Sequence, residues 1–324
     1  MKAAGGAVRR GVPITIIVGA AVCVLLAAAP ALLSPFLIQF LINFFMLAVL
    51  AESWNIIGGF TGYASFGNAG FFGVGAYTTG ILLTVGKLPF ALALLAGGAV
   101  AMAFAALIGT AVLRLKGQYF AIATLGVTET TREIVYNLNI TGGGGGLSLP
   151  MVRSPLPFFY LMLAVLVAAV LINLWIARSR FGYGLRAIRE DEDAAAAMGI
   201  PTARYKTLAF ALSGGLAGLA GGVFGYWITF LDPGEVFKVS WTIRMIIMAV
   251  FGGAGTVLGP LLGSAVLVAI FEGLSTQLET LAELCNGLVV IAVVLFMPQG
   301  LIDAIAHRRL SPRKLLQNLR QYRI

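Results

Sequence analysis

Ten stretches of the chain are long and apolar enough to be read as membrane crossings, and no other property constrains the fold so tightly. A crossing helix needs about 20 apolar residues. The runs fall at 12–33, 36–57, 65–85, 88–113, 118–140, 156–177, 207–230, 241–258, 259–278 and 284–298. Of 324 residues, 59% are hydrophobic and 11% charged, where a soluble domain carries about 25% charge. So few charges cannot cover a soluble surface around this much apolar side chain. The expected fold is all-α and polytopic: one transmembrane domain over 1–324, about ten helices, and glycine-rich segments that break or re-enter. A soluble enzyme, a disordered tail and a secreted disulfide scaffold are excluded.

The net charge of +9 suggests nucleic acid only until the charges are placed. Lys2, Arg9 and Arg10 precede the first run, Arg114 and Lys116 separate two others, and Arg178, Arg180, Arg186, Arg189, Arg204 and Lys206 share one insert. Arg308, Arg309, Arg313, Lys314, Arg320 and Arg323 form the tail. Placed at loop ends, they follow the positive-inside rule, with no basic groove to hold a nucleic acid. An even number of crossings with two basic ends puts both termini in the cytoplasm, together with the 58–64 loop, 114–117, 178–206 and the break near Gly255. The outside then receives Lys87, Arg153 and Lys238. The first run has the layout of a secretory signal, but it continues past Pro30 and Pro35 almost into the next, which favours an uncleaved helix.

Cys23 and Cys285 each lie inside an apolar run, far apart, and read as small buried hydrophobes. With His307 in the tail as its one histidine, the chain offers no metal cluster and no histidine-based triad.

The stretch 58–80, GGFTGYASFGNAGFFGVGAYTTG, is dense in glycine. Glycine costs about 1 kcal/mol against alanine inside a helix, so this density implies close helix contacts or broken helices lining a cavity. Gly67, Gly70 and Gly73, three apart, lie near one face and are expected to serve packing. Gly58, Gly59, Gly62 and Gly67 are echoed by Gly252, Gly253, Gly255 and Gly259, as in transporters built from repeats. Segment 118–140 carries Thr128, Glu129, Thr130, Thr131, Arg132 and Glu133. Either these charges face protein or water at membrane depth, or the segment is short and they sit at the interface. Asn68, Thr128, Glu129 and Thr131 are the candidate translocation-path residues, and an interhelical hydrogen bond is the competing role for each. Gly142–Gly146 reads as a flexible external loop.

The insert 178–206, RSRFGYGLRAIREDEDAAAAMGIPTARYK, is the longest stretch that cannot sit in a bilayer. A helix is expected from Leu185 to Met198, stopped by Gly199 and blocked by Pro201. Its size, among short connections, suits a docking element.

Here the residues carry a resemblance. Asp193-Ala194-Ala195-Ala196-Ala197-Met198-Gly199 resembles the coupling motif of ABC importer permeases, with Asp in place of Glu. The string from Arg186 to Gly199 is similar to the LivM-type version in branched-chain amino acid permeases. Gly62–Tyr77 and Gly117–Leu125 resemble that family's glycine-rich signatures, and Asp232-Pro233 and Gly252–Pro260 match its C-terminal half. Asn68 and Phe66 depart from the His and Leu common there.

The resemblance implies a bacterial inner-membrane permease paired with a second, homologous permease, two cytoplasmic ATP-binding subunits and a periplasmic binding protein. No cofactor would bind this chain, because ATP is used by partner subunits; the chain has no GxxxxGK[ST] loop of its own. Arg186, Arg189, Glu190, Asp193, Ala194, Ala195 and Gly199 would form the ATPase-coupling surface, the charges at its rim and the alanines in close approach. Urea and short-chain amide permeases share the architecture. The rival class is an ion-coupled carrier using Glu52, Glu129 or Glu272 as proton sites.

Overall fold

The computed structural model describes residues 25–31, 33–152, 154–277 and 301–302, with side chains for these up to Phe271, Ala31 excepted, and at 301–302. The expected span 284–298 and most of 12–33 lie outside the described residues, as do Cys23, Cys285, Arg153, His307, the basic tail and the side chain of Glu272.

Helix α1 (Pro35–Trp54) begins where the Ser34 hydroxyl accepts from the Leu37 amide, with Pro35 in the first turn. It runs into a π turn, Asn55–Gly59, and then a non-helical stretch to Gly67. There follow α2 (Asn68–Thr84), α3 (Phe90–Val112), α4 (Gln118–Asn137) and α5 (Leu156–Arg178). Two short helices, α6 (Arg180–Glu190) and α7 (Glu192–Ala197), lead into the long α8 (Thr202–Ile228). A single turn, α9 (Pro233–Val236), precedes α10 (Val239–Gly252) and α11 (Gly259–Gln277). Strands β1 (Leu147–Ser148) and β2 (Phe230–Leu231) pair antiparallel, Leu147 opposite Leu231.

Glycine decides how the helices meet. A Cβ on Gly75 of α2 would lie 2.1 Å from the Gly218 carbonyl oxygen of α8, and one on Gly218 would lie 2.3 Å from Ala101 Cβ of α3. Three backbones thus meet at a separation that no larger residue permits, and contact replaces the hydrophobic drive that lipid cannot supply. Helix α1 threads this group to the second half, packing on α5, α8, α10 and α11. The α10–α11 hairpin closes just as tightly, with a Cβ on Gly252 only 1.7 Å from the Gly259 carbonyl oxygen.

Among the described residues four helical stretches are long and apolar enough to cross a membrane: Pro35–Gly59, Phe90–Val112, Leu156–Arg178 and Thr202–Ile228. The other expected crossings take different forms. The 65–85 run yields a 17-residue helix, and 241–258 a 14-residue helix whose length of roughly 21 Å falls short of a hydrocarbon core of about 30 Å. The glycine run Gly142–Gly146, expected to be a flexible loop, instead holds a 3₁₀ turn, Gly143–Gly145, just after another at Asn139–Thr141.

The loops gather at two ends. Residues 55–63, 113–116, 189–206 and 255–256 are bonded to one another at one end. Residues 147–149 and 229–231 meet at the other, where the Tyr77 hydroxyl also reaches the Leu231 carbonyl.

Candidate functional site

The insert is a broken helix rather than the single one expected over 185–198. Asp191 leaves the helical region, with φ −159° and ψ 113°, and its carboxylate caps α7 by accepting from the Asp193 and Ala194 amides. Helix α6 buries Gly182, Gly184, Leu185 and Ile188 against the chain. Helix α7 buries only Ala195 and leaves Ala194, Ala196 and Ala197 outward. Gly199, at φ +85°, closes α7 in the left-handed conformation, and nothing lies within 4 Å of where its Cβ would be. Met198 beside it is 85% exposed.

One ion pair fixes this face. Lys206 Nζ, at the start of α8, donates to Glu192 Oε1 at 2.6 Å, to the Leu113 carbonyl at 2.8 Å and to the Tyr63 hydroxyl at 3.0 Å. Tyr63 in turn donates to the other Glu192 oxygen. Side-chain exposure is 5% for Lys206 and 16% for Glu192, so all three ammonium protons are satisfied away from water. Burial pushes the Glu192 carboxyl up, but the hydrogen bonds from Lys206 and Tyr63 outweigh it and hold the group below its usual value. Burial, and then the Glu192 bond, push the Tyr63 phenol well above its ordinary range.

The expected rim of free charges is smaller than the sequence reading has it. Arg186 turns inward, donating to the Ala177 carbonyl at 3.0 Å with its guanidinium over the Phe60 and Tyr183 rings. Arg189 donates to the Gly59 carbonyl at 2.7 Å. Glu190 remains outward, and Asp193 pairs with Lys116 at 2.8 Å in the open.

The glycine echo meets in space: a Cβ on Gly59 would lie 2.5 Å from the Gly255 nitrogen. Asn55 sews the two turns together, accepting from the Gly255 amide at 2.7 Å and donating to the Thr256 carbonyl at 2.9 Å. Its amide also donates to Asn173 Oδ1 at 3.1 Å. Gly253, at φ +122°, and Gly255, at φ +82°, turn the chain where the α10–α11 hairpin meets this junction.

Deeper in the bundle lies the non-helical stretch after the π turn. Unpaired backbone inside a membrane protein must find partners in protein, and side chains supply them. Trp54 Nε1 donates to the Ser65 carbonyl, Thr124 Oγ1 accepts from the Phe66 amide, Thr128 donates to the Phe66 carbonyl, and Thr242 accepts from the Ala69 amide. Gly67 and Gly70 sit directly against Thr124 and Thr128, while Gly73 makes room for the Phe237 ring. Asn68 is buried at the start of α2, donating to Ser213 Oγ at 2.9 Å and, at 3.4 Å, to Ser53 Oγ. Asn68 Oδ1 and both carboxyl oxygens of Glu52 are buried and make no hydrogen bond among the described residues.

The structure therefore separates the four path candidates. Asn68, Thr128 and Thr131 are buried, Thr131 bonding back to the Val127 carbonyl. Glu129 faces outward instead, paired with Arg132 at 2.9 Å, and Arg132 also pairs with Glu133. Helical spacing explains this: Thr124, Thr128, Thr131 and Val135 recur on one side of α4, and residue 129 is turned about 100° from 128.

Lys206, Tyr63, Asn55 and Asn173 are structural keys that sequence reasoning passes over. Lys206 is one basic residue among six in its insert, and nothing in the sequence ranks it first. The series Gly214, Gly218 and Gly222, four apart, was readable as a close-contact face of α8.

Known proteins bear on this arrangement. The family described as branched-chain amino acid transport system, permease component, matches residues 36–298. The high-affinity branched-chain amino acid transport system permease protein LivM of Salmonella typhimurium is 31% identical over 287 residues, covering 78% of this chain and 67% of its own. LivM of Escherichia coli is 30% identical over 291 residues, with the same coverage. The autoinducer 2 import system permease protein LsrC of Salmonella typhi is 30% identical over 206 residues, 60% of this chain and 58% of its own. No solved structure matches. The chain belongs to the family of branched-chain amino acid transport system permease components, a multi-pass membrane transport subunit and not an enzyme.

Proposed function

We propose that this chain is the permease subunit of an ATP-driven (ABC) importer for branched-chain or other small amino acids in a bacterial inner membrane. The observation that carries the reading is the outward face of Ala194, Ala196, Ala197, Met198 and Gly199, on a segment clamped by a buried ion pair. Such a face takes force from a partner without deforming. Two cytoplasmic ATP-binding subunits would use ATP there, a homologous second permease would complete the path, and a periplasmic binding protein would deliver substrate. The bonded end bearing the insert then faces the cytoplasm, and so do both termini. About ten membrane segments make up the whole, with α2, α10 and α11 as the short or broken ones.

Asn68, through its carbonyl oxygen, and Glu52, both without a hydrogen bond at those oxygens among the described residues, are acceptors suited to the ammonium group of a zwitterion shedding its water. Thr128 and Thr131 shape the wall behind Asn68. Glu129, Arg132 and Glu133 cannot face lipid, so the outer side of α4 meets the sister permease or the aqueous path.

The test is reconstitution with the sister permease and ATP-binding subunits in vesicles, scored by leucine uptake. Uptake that requires both ATP and the binding protein is expected. Uptake by this chain alone on a proton or sodium gradient would replace the reading with an ion-coupled carrier.

A further inference from the structure

The coupling segment is not merely seated on the bundle; at one point it is bonded to the first half of the chain and lies against the second. Arg189 Nη1 donates to the Gly59 carbonyl, the last in the π turn. On its other side a Cβ on Gly255 would lie 2.6 Å from the same nitrogen and 2.9 Å from that carbonyl oxygen. The guanidinium thus occupies the meeting point of α6, the π turn of the first half and the α10–α11 turn of the second. Asn55 ties those two turns to each other, and Tyr63 ties the next residues to Glu192 of α7. From there the chain continues to Ser65, Phe66 and Ala69, whose backbones are held by Trp54, Thr124, Thr128 and Thr242 beside Asn68. A continuous bonded route links the docking face with the polar interior.

We infer that Arg189 is a positioning residue for transport: it makes α6–α7, the 59–67 stretch and the 253–258 turn move as one body, so that a push on the coupling face reaches both halves together. This rests on the importer reading above. The complete importer in vesicles, with leucine uptake and ATP hydrolysis measured on one preparation, tests it. Arg189→Ala should leave hydrolysis near the wild-type rate, which also reports assembly, while leucine carried per ATP falls by about tenfold or more. Arg189→Lys, with one reachable donor, should recover part of that ratio. An unchanged ratio overturns the inference, and so does a parallel loss of uptake and hydrolysis, which would mean the segment only docks.

A second variant stands apart from the alanine substitution. A Cβ on Gly62 would lie 3.6 Å from Arg189 Cβ, inside the range of about 3.5–4.5 Å that a disulfide spans. Gly62 is at φ +74°, so a side chain there is strained, but the strain is common to the reduced and oxidised forms and cancels in their comparison. In Gly62→Cys/Arg189→Cys, oxidation should raise the leucine carried per ATP above that of the reduced protein, because a covalent tie replaces the lost one. Uptake blocked by oxidation and released by a thiol would show that the two segments must part, and would overturn the inference. If the wild-type importer shows no ATP-driven uptake, the function reading fails before the tie is tested.

Discussion

The two ends of this bundle are closed by different chemistry. At the end carrying the insert the ties are long side chains crossing between elements: Lys206 to Glu192, Tyr63 and Leu113, Arg189 to Gly59, Asn55 to Gly255 and Thr256. At the opposite end the main chain does most of the closing, with the Tyr77 hydroxyl on the Leu231 carbonyl beside it. Leu147–Ser148 pairs with Phe230–Leu231, the Leu149 amide donates to the Thr229 carbonyl at 2.8 Å, and glycines at φ +83°, +58° and +74° shape the turns before β1. A side-chain closure concentrates stability in a few replaceable groups and lets distant segments share one tie. A main-chain closure spreads it, and depends on residue identity only where the backbone turns in a way side chains forbid.

The sharpest way to break the contrast is Lys206→Ala. It leaves Glu192 buried and unpaired, and breaking a buried pair from one side costs about 3–5 kcal/mol. The thermal unfolding midpoint of the purified protein should fall by several degrees, and adding Glu192→Gln should recover much of the loss, since the stranded charge goes with it. A small drop, or no recovery in the double variant, would mean the insert end is held by packing after all.

Opposite it, Gly146→Ala should cost about 1–3 kcal/mol, the range for forcing a side chain into backbone reserved for glycine. Gly146 has φ +74° and ψ 175°, and its Cβ would meet the Leu231 carbonyl oxygen at 2.7 Å. The measurement is the same unfolding midpoint. No change would show that β1 and β2 separate freely, and the main-chain account of this end would be wrong.

Much of this was legible in the sequence, and the reasons are local. Of the loops that the positive-inside rule assigns to one side, 58–64, 114–117 and 178–206 are bonded together, and the break near Gly255 lies against Gly59 and Arg189. The break at Asp191 was also readable, as an acidic cap followed by Glu192 and Asp193 in a first turn, but the alanine run that follows hid it. Glu129 parts from Asn68, Thr128 and Thr131 because polarity was counted along the segment rather than around the helix, which turns it to the outer side of α4. Lys206 was invisible for a deeper reason. Its partners lie at 63, 113 and 192, and only the packing of α8 on α2 and α3 brings them within reach.

Acid sharpens the comparison from the solvent side. Glu192 is held below its usual 4.5 by Lys206 and Tyr63. The stability it lends is therefore complete above that usual value and is lost as pH falls through the lower folded one. Unfolding midpoints followed from about pH 6 down to about pH 3 should decline more steeply for the wild type than for Glu192→Gln. Parallel declines would assign acid sensitivity to other carboxylates and remove Glu192 from the account.

The smallest effect separates holding the fold from meeting a partner. Lys116 and Asp193 pair at 2.8 Å, but their side chains are 58% and 86% exposed. So exposed a pair adds little to stability, and salt screens what it adds. Lys116→Ala should therefore leave the unfolding midpoint within error, unlike Lys206→Ala on the same face. It does free Asp193, one residue before the outward Ala194, so the charge shown to a docked subunit becomes more negative. If that face is where an ATP-binding subunit sits, the variant should alter the salt dependence of subunit binding while the fold stays unchanged. A destabilised fold would mean that exposed charges too help close this end, and the division between its buried and open ties would disappear.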